Sequence, residues 1–272
     1  MQFTNPDIIR SITSEWTGDR DKHGRPIVPD DIIRRMEAVT TEEAWGVLRR
    51  NEYHFNFASG FTILHPDKTL VGRAVTGRFV PARPDLNGAV EKQGEKEGRI
   101  GGQNSWVIDE LVENDVIVID LFGKVEYGTF AGDNLATAIR QNTRRGMVID
   151  GGIRDVQRIL AMDEFNGYVR GYDPTAIRNV TLTDINGITR IGHATCLPGD
   201  VVLGTVEGVI FIPPHLAQDV VERSEQIRLK DEFGQQRIRE GVYTPGEVDR
   251  EFSEAMQQDF EQWKENRLKQ GG

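Results

Sequence analysis

Two short apolar runs, Val116-Ile117-Val118-Ile119-Asp120 and Met147-Val148-Ile149-Asp150, constrain the fold more than any other feature of this chain. Runs of three or four apolar, mostly β-branched residues closed by an acid fit strands buried on both faces, the kind found inside parallel sheets. Each leads into a helical stretch. After the first, a glycine-containing hairpin segment reaches Gly132-Asp133-Asn134, and Leu135, Ala136, Ala138 and Ile139 follow at core spacing, with Asp133 or Asn134 as the expected N-cap. That helix should stop near Gly146. After the second run, Gly151-Gly152 turn the chain into another helix starting at Asp155 and running through Val156, Ile159 and Leu160. Strand, helix, strand, helix is the order of an α/β layer. Asp120 and Asp150 read as structural strand ends.

The flanks are less regular. Thr17 to Asp30 holds Gly18, Gly24, Pro26 and Pro29 and reads as irregular chain, and Asp30-Asp31 open a helix ahead of Ile32, Ile33 and Met36. Leu70 to Val80 is β-rich and is ended by Pro81 and Pro84. Residues 88–102 are charged and glycine-rich with no apolar period, which predicts a loop that a ligand could order. Trp106 to Val112 has helical spacing. Short strands are expected near Val169, Val180 to Leu182, Ile188 to Ile191, Val201 to Leu203 and Gly208 to Ile212. From His215 onward the chain is charged and helical, and Phe252, Met256, Phe260 and Trp263 form a packing stripe.

Composition narrows the function classes. With 33 basic and 43 acidic side chains the net charge is −10, which disfavours nucleic acid as a direct partner. Mean hydropathy is −0.46, and no apolar run approaches the ~18 residues of a membrane span. The start MQFTNPDIIR lacks the basic and apolar regions of a secretory signal, so a cytoplasmic location is expected. Cys196 is the single cysteine, which excludes an internal disulfide and Cys-x-x-Cys metal or redox sites.

The chemistry points to the two turns. In an α/β sheet they lie at strand C-terminal ends, where such sheets bind ligands, and helix N-termini there suit an anion such as a carboxylate. Asp133 stands at one helix start, Arg154 and Asp155 at the other. A carboxylate beside a guanidinium at a cleft can hold a cation with one group and an oxyanion with the other. Histidines 23, 54, 65, 193 and 215 show no ligand spacing, and no lysine stands out as a Schiff base, so a hard divalent cation, Mg²⁺ or Mn²⁺, is the expected metal.

Gly-Asp-Asn-Leu-Ala followed by a helix, then Val-Ile-Asp-Gly-Gly-Ile-Arg-Asp, resembles the family that joins the regulator of ribonuclease activity A to the metal-dependent 4-hydroxy-4-methyl-2-oxoglutarate aldolases. The aldolase branch carries an Asp, twenty residues, then Arg-Asp. Asp133, the twenty residues from Asn134 to Ile153, and Arg154-Asp155 match it. Weaker likeness runs from about Thr40 to Gly241 through Gly72-Arg73-Ala74-Val75-Thr76 and Pro198-Gly199-Asp200. Where the family often has Asp-x-Asp-Gly-Val, this chain has Thr205-Val206-Glu207-Gly208-Val209.

The resemblance implies a swivelling β/β/α domain over residues 41–241, with an N-terminal arm (1–40) and a C-terminal helical extension (242–272). It implies that Arg154 binds the keto acid and stabilises the pyruvate enolate, that Asp155 holds the metal, and that Asp133 orders a water on it. Backbone N–H groups of Gly132, Asp133, Asn134 and Leu135 would hold the substrate carboxylate. A glutamate from a neighbouring subunit, matched to Glu232 or to Glu225, completes the site in a homotrimer or a hexamer of two trimers. The activity so implied is a lyase that cleaves a 4-hydroxy-2-oxo acid to pyruvate, with oxaloacetate decarboxylation as a side activity. The alternatives are a non-catalytic regulator that docks on a ribonuclease or helicase, and a metal-dependent lyase or hydrolase of a sugar-derived acid.

Overall fold

The two apolar runs pair side by side at the centre of a nine-stranded mixed sheet in a computed structural model that describes residues 6–270. The chain divides into two compact units, Met1–Val221 and Glu222–Gly272. The first begins with helices α1 (Pro6–Ile12), α2 (Asp30–Met36) and α3 (Thr41–Arg50), then strands β1 (Phe57–Ala58), β2 (Thr62–Ile63) and β3 (Leu70–Pro81). There follow α4 (Pro84–Lys96), α5 (Gln103–Ile108), β4 (Asp115–Ala131), α6 (Asp133–Thr143), β5 (Gly146–Ile153) and α7 (Val156–Leu160). Strands β6 (Asn166–Tyr172), β7 (Val180–Ile185), β8 (Thr189–Ile191), β9 (Ala194–Cys196), β10 (Val201–Thr205) and β11 (Gly208–Ile212) complete it.

The strand order is β1-β11-β10-β3-β4-β5-β6-β2, with β7 also on β3 and β8-β9 a separate hairpin. Strands β3, β4, β5 and β6 are parallel, so their C-terminal ends share one edge. Along one side of β3, β10 pairs with residues 70–73 and β7 with residues 77–81.

Alternation sorts the side chains onto two faces. Ile117, Ile119, Met147, Ile149 and Val169 pack under α4 to α7 with Trp106, Ile139 and Ile159. Val116, Val118, Val148 and Tyr168 face the other way, onto Ile191, Cys196, Val202 and Phe211. A third cluster joins Ile33, Met36, Val47 and Leu48 of α2 and α3 to Val71, Leu203 and Ile210, so the first forty residues contribute core side chains as well as irregular chain.

Four local expectations are corrected. Residues 84–96 form helix α4 where a loop was expected from 88 onward. Its buried positions are only Val90 and Gly94, and the bare Gly94 backbone receives the Trp106 ring, so docking leaves no apolar period to read. The helical spacing of Trp106 to Val112 yields only α5, which ends at Ile108. Asp120 and Asp150 do not end their strands. Strand β4 continues to Ala131 and β5 to Ile153, with extra β4 residues bulging out between the pairs Asp120–Asp150, Lys124–Gly151, Thr129–Gly152 and Ala131–Ile153. Left-handed Phe122, Gly123 and Tyr127 make that excursion, which fits the expected glycine-containing hairpin segment. Finally, Gly132 is the N-cap of α6 and Asp133 its first residue, while Asp155 is the N-cap of α7 and not its first turn.

The second unit starts within helix α8 (Ala217–Arg239) and continues through α9 (Pro245–Val248) and α10 (Glu254–Gln270). Phe233, Met256 and Phe260 form its core, with Phe252 and Trp263 packed against them, as the stripe predicts.

Candidate active site at the C-terminal strand ends

The turn after β4 and the turn after β5 meet. The Arg154 backbone N–H donates to the Ala131 carbonyl at 3.0 Å, tying one turn to the other. Gly132 leaves this junction open: a Cβ there would stand 2.4 Å from Asp155 Oδ2 and 3.0 Å from Arg154 Nε, so both side chains would have to shift. Arg154 Nε and Asp155 Oδ2 lie 3.6 Å apart, with their side chains 44% and 38% exposed, so both remain open to a ligand. Asp155 has φ +55°, a left-handed conformation that turns its carboxylate back toward Gly132.

The Asp133 carboxylate is engaged on both oxygens. Oδ1 accepts from the Asn134 N–H at 2.9 Å, and Oδ2 accepts from Arg158 Nη1 at 2.6 Å. The Arg158 hydrogen bond is the main reason its pKa falls below the usual aspartate value. Helix geometry leaves the first N–H groups of α6 without intrahelical partners. Since Asn134 donates to Asp133, the Asp133 and Leu135 amides are the ones left to receive an anion.

A cleft of about 130 Å³ is lined by Gly132, Asp133, Asn134, Leu135 and Arg154 with Asn104, Thr129, Phe130, Ala176 and Ile177. Asn104 is held there by donating to the Phe130 carbonyl at 2.8 Å. A larger cleft of about 630 Å³ opens at the opposite, N-terminal strand ends between Lys68, Asn114, Arg145 and Asn166. Gly132, Asp133, Asn134, Leu135 and Arg154, singled out by the sequence, line the smaller one.

Asp120 and Asp150 lie on the other face. Asp150 accepts from Arg170 Nε at 2.6 Å, and Asp120 accepts from the Phe122 N–H at 2.8 Å, which secures the root of the β4 excursion. Burial raises the Asp120 pKa. Glu232 lies on α8 in the second unit and is ion-paired with Arg267. Glu225 lies on the same helix. Arg158 and Asn104 were not singled out by the sequence. Arg158 follows Arg154 by one helical turn, but its pairing with Asp133 twenty-five residues earlier depends on the two turns meeting.

Comparison with known proteins shows the family and the fold. The Aldolase/RraA family model, RraA-like, matches residues 41–211, and the chain belongs to that family. It is 29% identical over 144 residues to a Halalkalibacterium halodurans protein named "Putative 4-hydroxy-4-methyl-2-oxoglutarate aldolase", covering 52% of this chain and 68% of that protein. It is also 29% identical over 132 residues to "Uncharacterized protein MJ0644" of Methanocaldococcus jannaschii, covering 48% of this chain and 63% of that one, somewhat under two thirds of its length. Among solved structures, Streptomyces coelicolor RraAS2, described as an unusual member of the RNase ES inhibitor RraA family, shares the fold. Its TM-score is 0.65 at 24% identity, over 78% of this chain and 98% of that one.

Proposed function

We propose that this chain is a divalent-cation-dependent lyase that breaks a carbon–carbon bond in a 2-oxo acid and releases pyruvate. The observation that carries the reading is the meeting of Arg154 and the Gly132–Leu135 turn at one small cleft, with the Asp155 carboxylate 3.6 Å from Arg154 Nε. The relatives' aldolase names support it.

The residues fit a hard cation. Asp155 offers a half-exposed carboxylate beside a glycine whose missing Cβ leaves room for it. Among the described residues no three His, Cys, Asp or Glu side chains gather as a ready-made metal cage, so water and substrate oxygens would complete the shell. Such an oxygen-rich shell suits Mg²⁺ or Mn²⁺. When bound, the cation supplies Lewis-acid stabilisation of charge on the substrate's carboxylate and C2 oxygen.

The chain's own groups do the rest. The Asp133 and Leu135 amides hold the substrate C1 carboxylate. Arg154 donates to the C2 oxygen, where negative charge grows as the C3–C4 bond breaks and the bonding pair moves into the enolate. In the retro-aldol cleavage of a 4-hydroxy substrate the C4 hydroxyl loses its proton as that bond breaks and becomes a carbonyl. A proton then returns to C3 to give pyruvate, and Asp133 orders the water that carries both transfers. By resemblance the working assembly is a homotrimer or a pair of trimers in which Glu232, or Glu225, reaches a neighbour's site, and the partner is a small 2-oxo acid in the cytoplasm.

Purified protein supplied with Mg²⁺ and either oxaloacetate or a 4-hydroxy-4-substituted 2-oxoglutarate should release pyruvate, read by a lactate dehydrogenase couple. The release should stop with a chelator and in Arg154→Ala. No pyruvate from either substrate would favour the non-catalytic regulator instead.

A further inference from the structure

The lyase reading gives Asn104 no task, yet its side chain is part of the cleft wall. It comes from α5, a helix of six residues that α4 and β7 hold in place. Trp106, Val107 and Ile108 are buried, and the Trp106 ring fills the space over Gly94 of α4. The neighbouring Gln103 accepts from the Leu182 N–H of β7 at 2.6 Å and donates to Asn87 and Glu91 of α4 at 2.9 and 2.7 Å. Asn104 is therefore fixed before any ligand arrives, which removes much of the ordering cost of using it.

Two contacts set the orientation of its carboxamide. Nδ2 donates to the Phe130 carbonyl at 2.8 Å. Oδ1 lies over Gly102, where a Cβ would come within 2.8 Å of it. A carboxamide nitrogen carries two N–H groups, and the Phe130 carbonyl engages one of them. The other has no partner among the described residues, so what Asn104 has left to offer a ligand is a donor.

The cleft is small enough for one ligand to meet every wall. At about 130 Å³ it falls below the roughly 300 Å³ at which pockets begin to enclose whole ligands. In the lyase reading Arg154 serves the C2 oxygen, and the Asp133 and Leu135 amides serve the C1 carboxylate. A carboxylate has about four lone-pair sites, so two amides leave it short of donors. Of the other polar side chains on the wall, Thr129 spends its hydroxyl on the Thr175 carbonyl and Asn134 is exposed to solvent.

We infer that Asn104 is a substrate-binding residue that donates its second N–H to the C1 carboxylate, beside the Asp133 and Leu135 amides. The inference rests on the lyase reading of the site.

The test titrates pyruvate and its neutral amide, pyruvamide, calorimetrically into the full-length protein with Mg²⁺. Asn104→Ala should weaken pyruvate about tenfold, the scale of one charge-assisted hydrogen bond, and pyruvamide only about threefold. It should raise KM for oxaloacetate about as much as it weakens pyruvate and leave kcat near that of wild type, because the carboxylate is held alike in substrate and transition state. Asn104→Asp keeps the shape and sets a like charge against the carboxylate. At pH 8 it should weaken pyruvate about a hundredfold and still leave pyruvamide within about threefold. Equal weakening of both ligands in the two variants would mean that Asn104 only braces the Phe130 carbonyl, and no weakening would mean no contact. Either result overturns the inference and leaves the lyase reading standing. Failure of wild type to bind pyruvate removes both.

Discussion

Gly132 shows how little room the site allows a single residue. Gly132→Ala should leave the melting temperature within a few degrees of wild type, because the added methyl meets only the ends of Asp155 and Arg154. It should nonetheless weaken Mn²⁺ binding, measured by electron paramagnetic resonance, by displacing the Asp155 carboxylate. Arg154→Ala should lower kcat/KM about a thousandfold, the scale of a lost oxyanion donor. Asp155→Ala should abolish dependence on the cation, and Asp133→Asn should lower kcat while changing cation affinity little. Asp200 offers a pH test. Burial lifts its carboxyl to about 7, with only the Leu197 N–H as donor and Oδ1 unpartnered. A carboxyl whose pKa rises on folding gives stability that is full below its unfolded value of about 3.9 and is lost as pH climbs through about 7. Melting temperature should therefore fall between about pH 4 and 7, and Asp200→Asn should flatten that slope. Buried Asp115 and Asp120, also raised, keep it from vanishing.

At the scale of elements, the legible parts are those whose own residues dictate them. The runs at 116–120 and 147–150 are buried strands because nothing but a two-sided core accommodates them, and β10 and β11 fall where Val201 to Leu203 and Gly208 to Ile212 place them. Helix α4 is illegible because its contact is made by an absent side chain. A Cβ on Gly94 would sit 2.4 Å from the Trp106 ring, so Gly94→Val should cost about 1–3 kcal/mol through overpacking, seen as a lower denaturant midpoint. The site was half readable for a similar reason. The motif names Asp133, Arg154 and Asp155, but that Arg158 pairs with Asp133, and that Asn104 closes one wall, depends on tertiary contacts between segments that carry no sequence mark of each other.

On the scale of the whole molecule, the second unit has a core of its own. Phe233 is fully buried among the rings of Tyr243, Phe252, Phe260 and Trp263. Phe233→Ala should cost about 3–5 kcal/mol and lower one calorimetric transition while another stays in place. A single transition moving as a whole would mean that both units melt together. The stripe from Phe252 to Trp263 announced this packing, whereas the Phe233 that it covers sits in a charged helix with no apolar rhythm. The sheet of the first unit terminates at each end of its strand order in a two-residue strand, β1 and β2. So brief a margin at β1 and β2 offers an incoming chain little free backbone to extend, and among the described strands it is the six-residue β7, paired to β3 alone, that presents the longer edge.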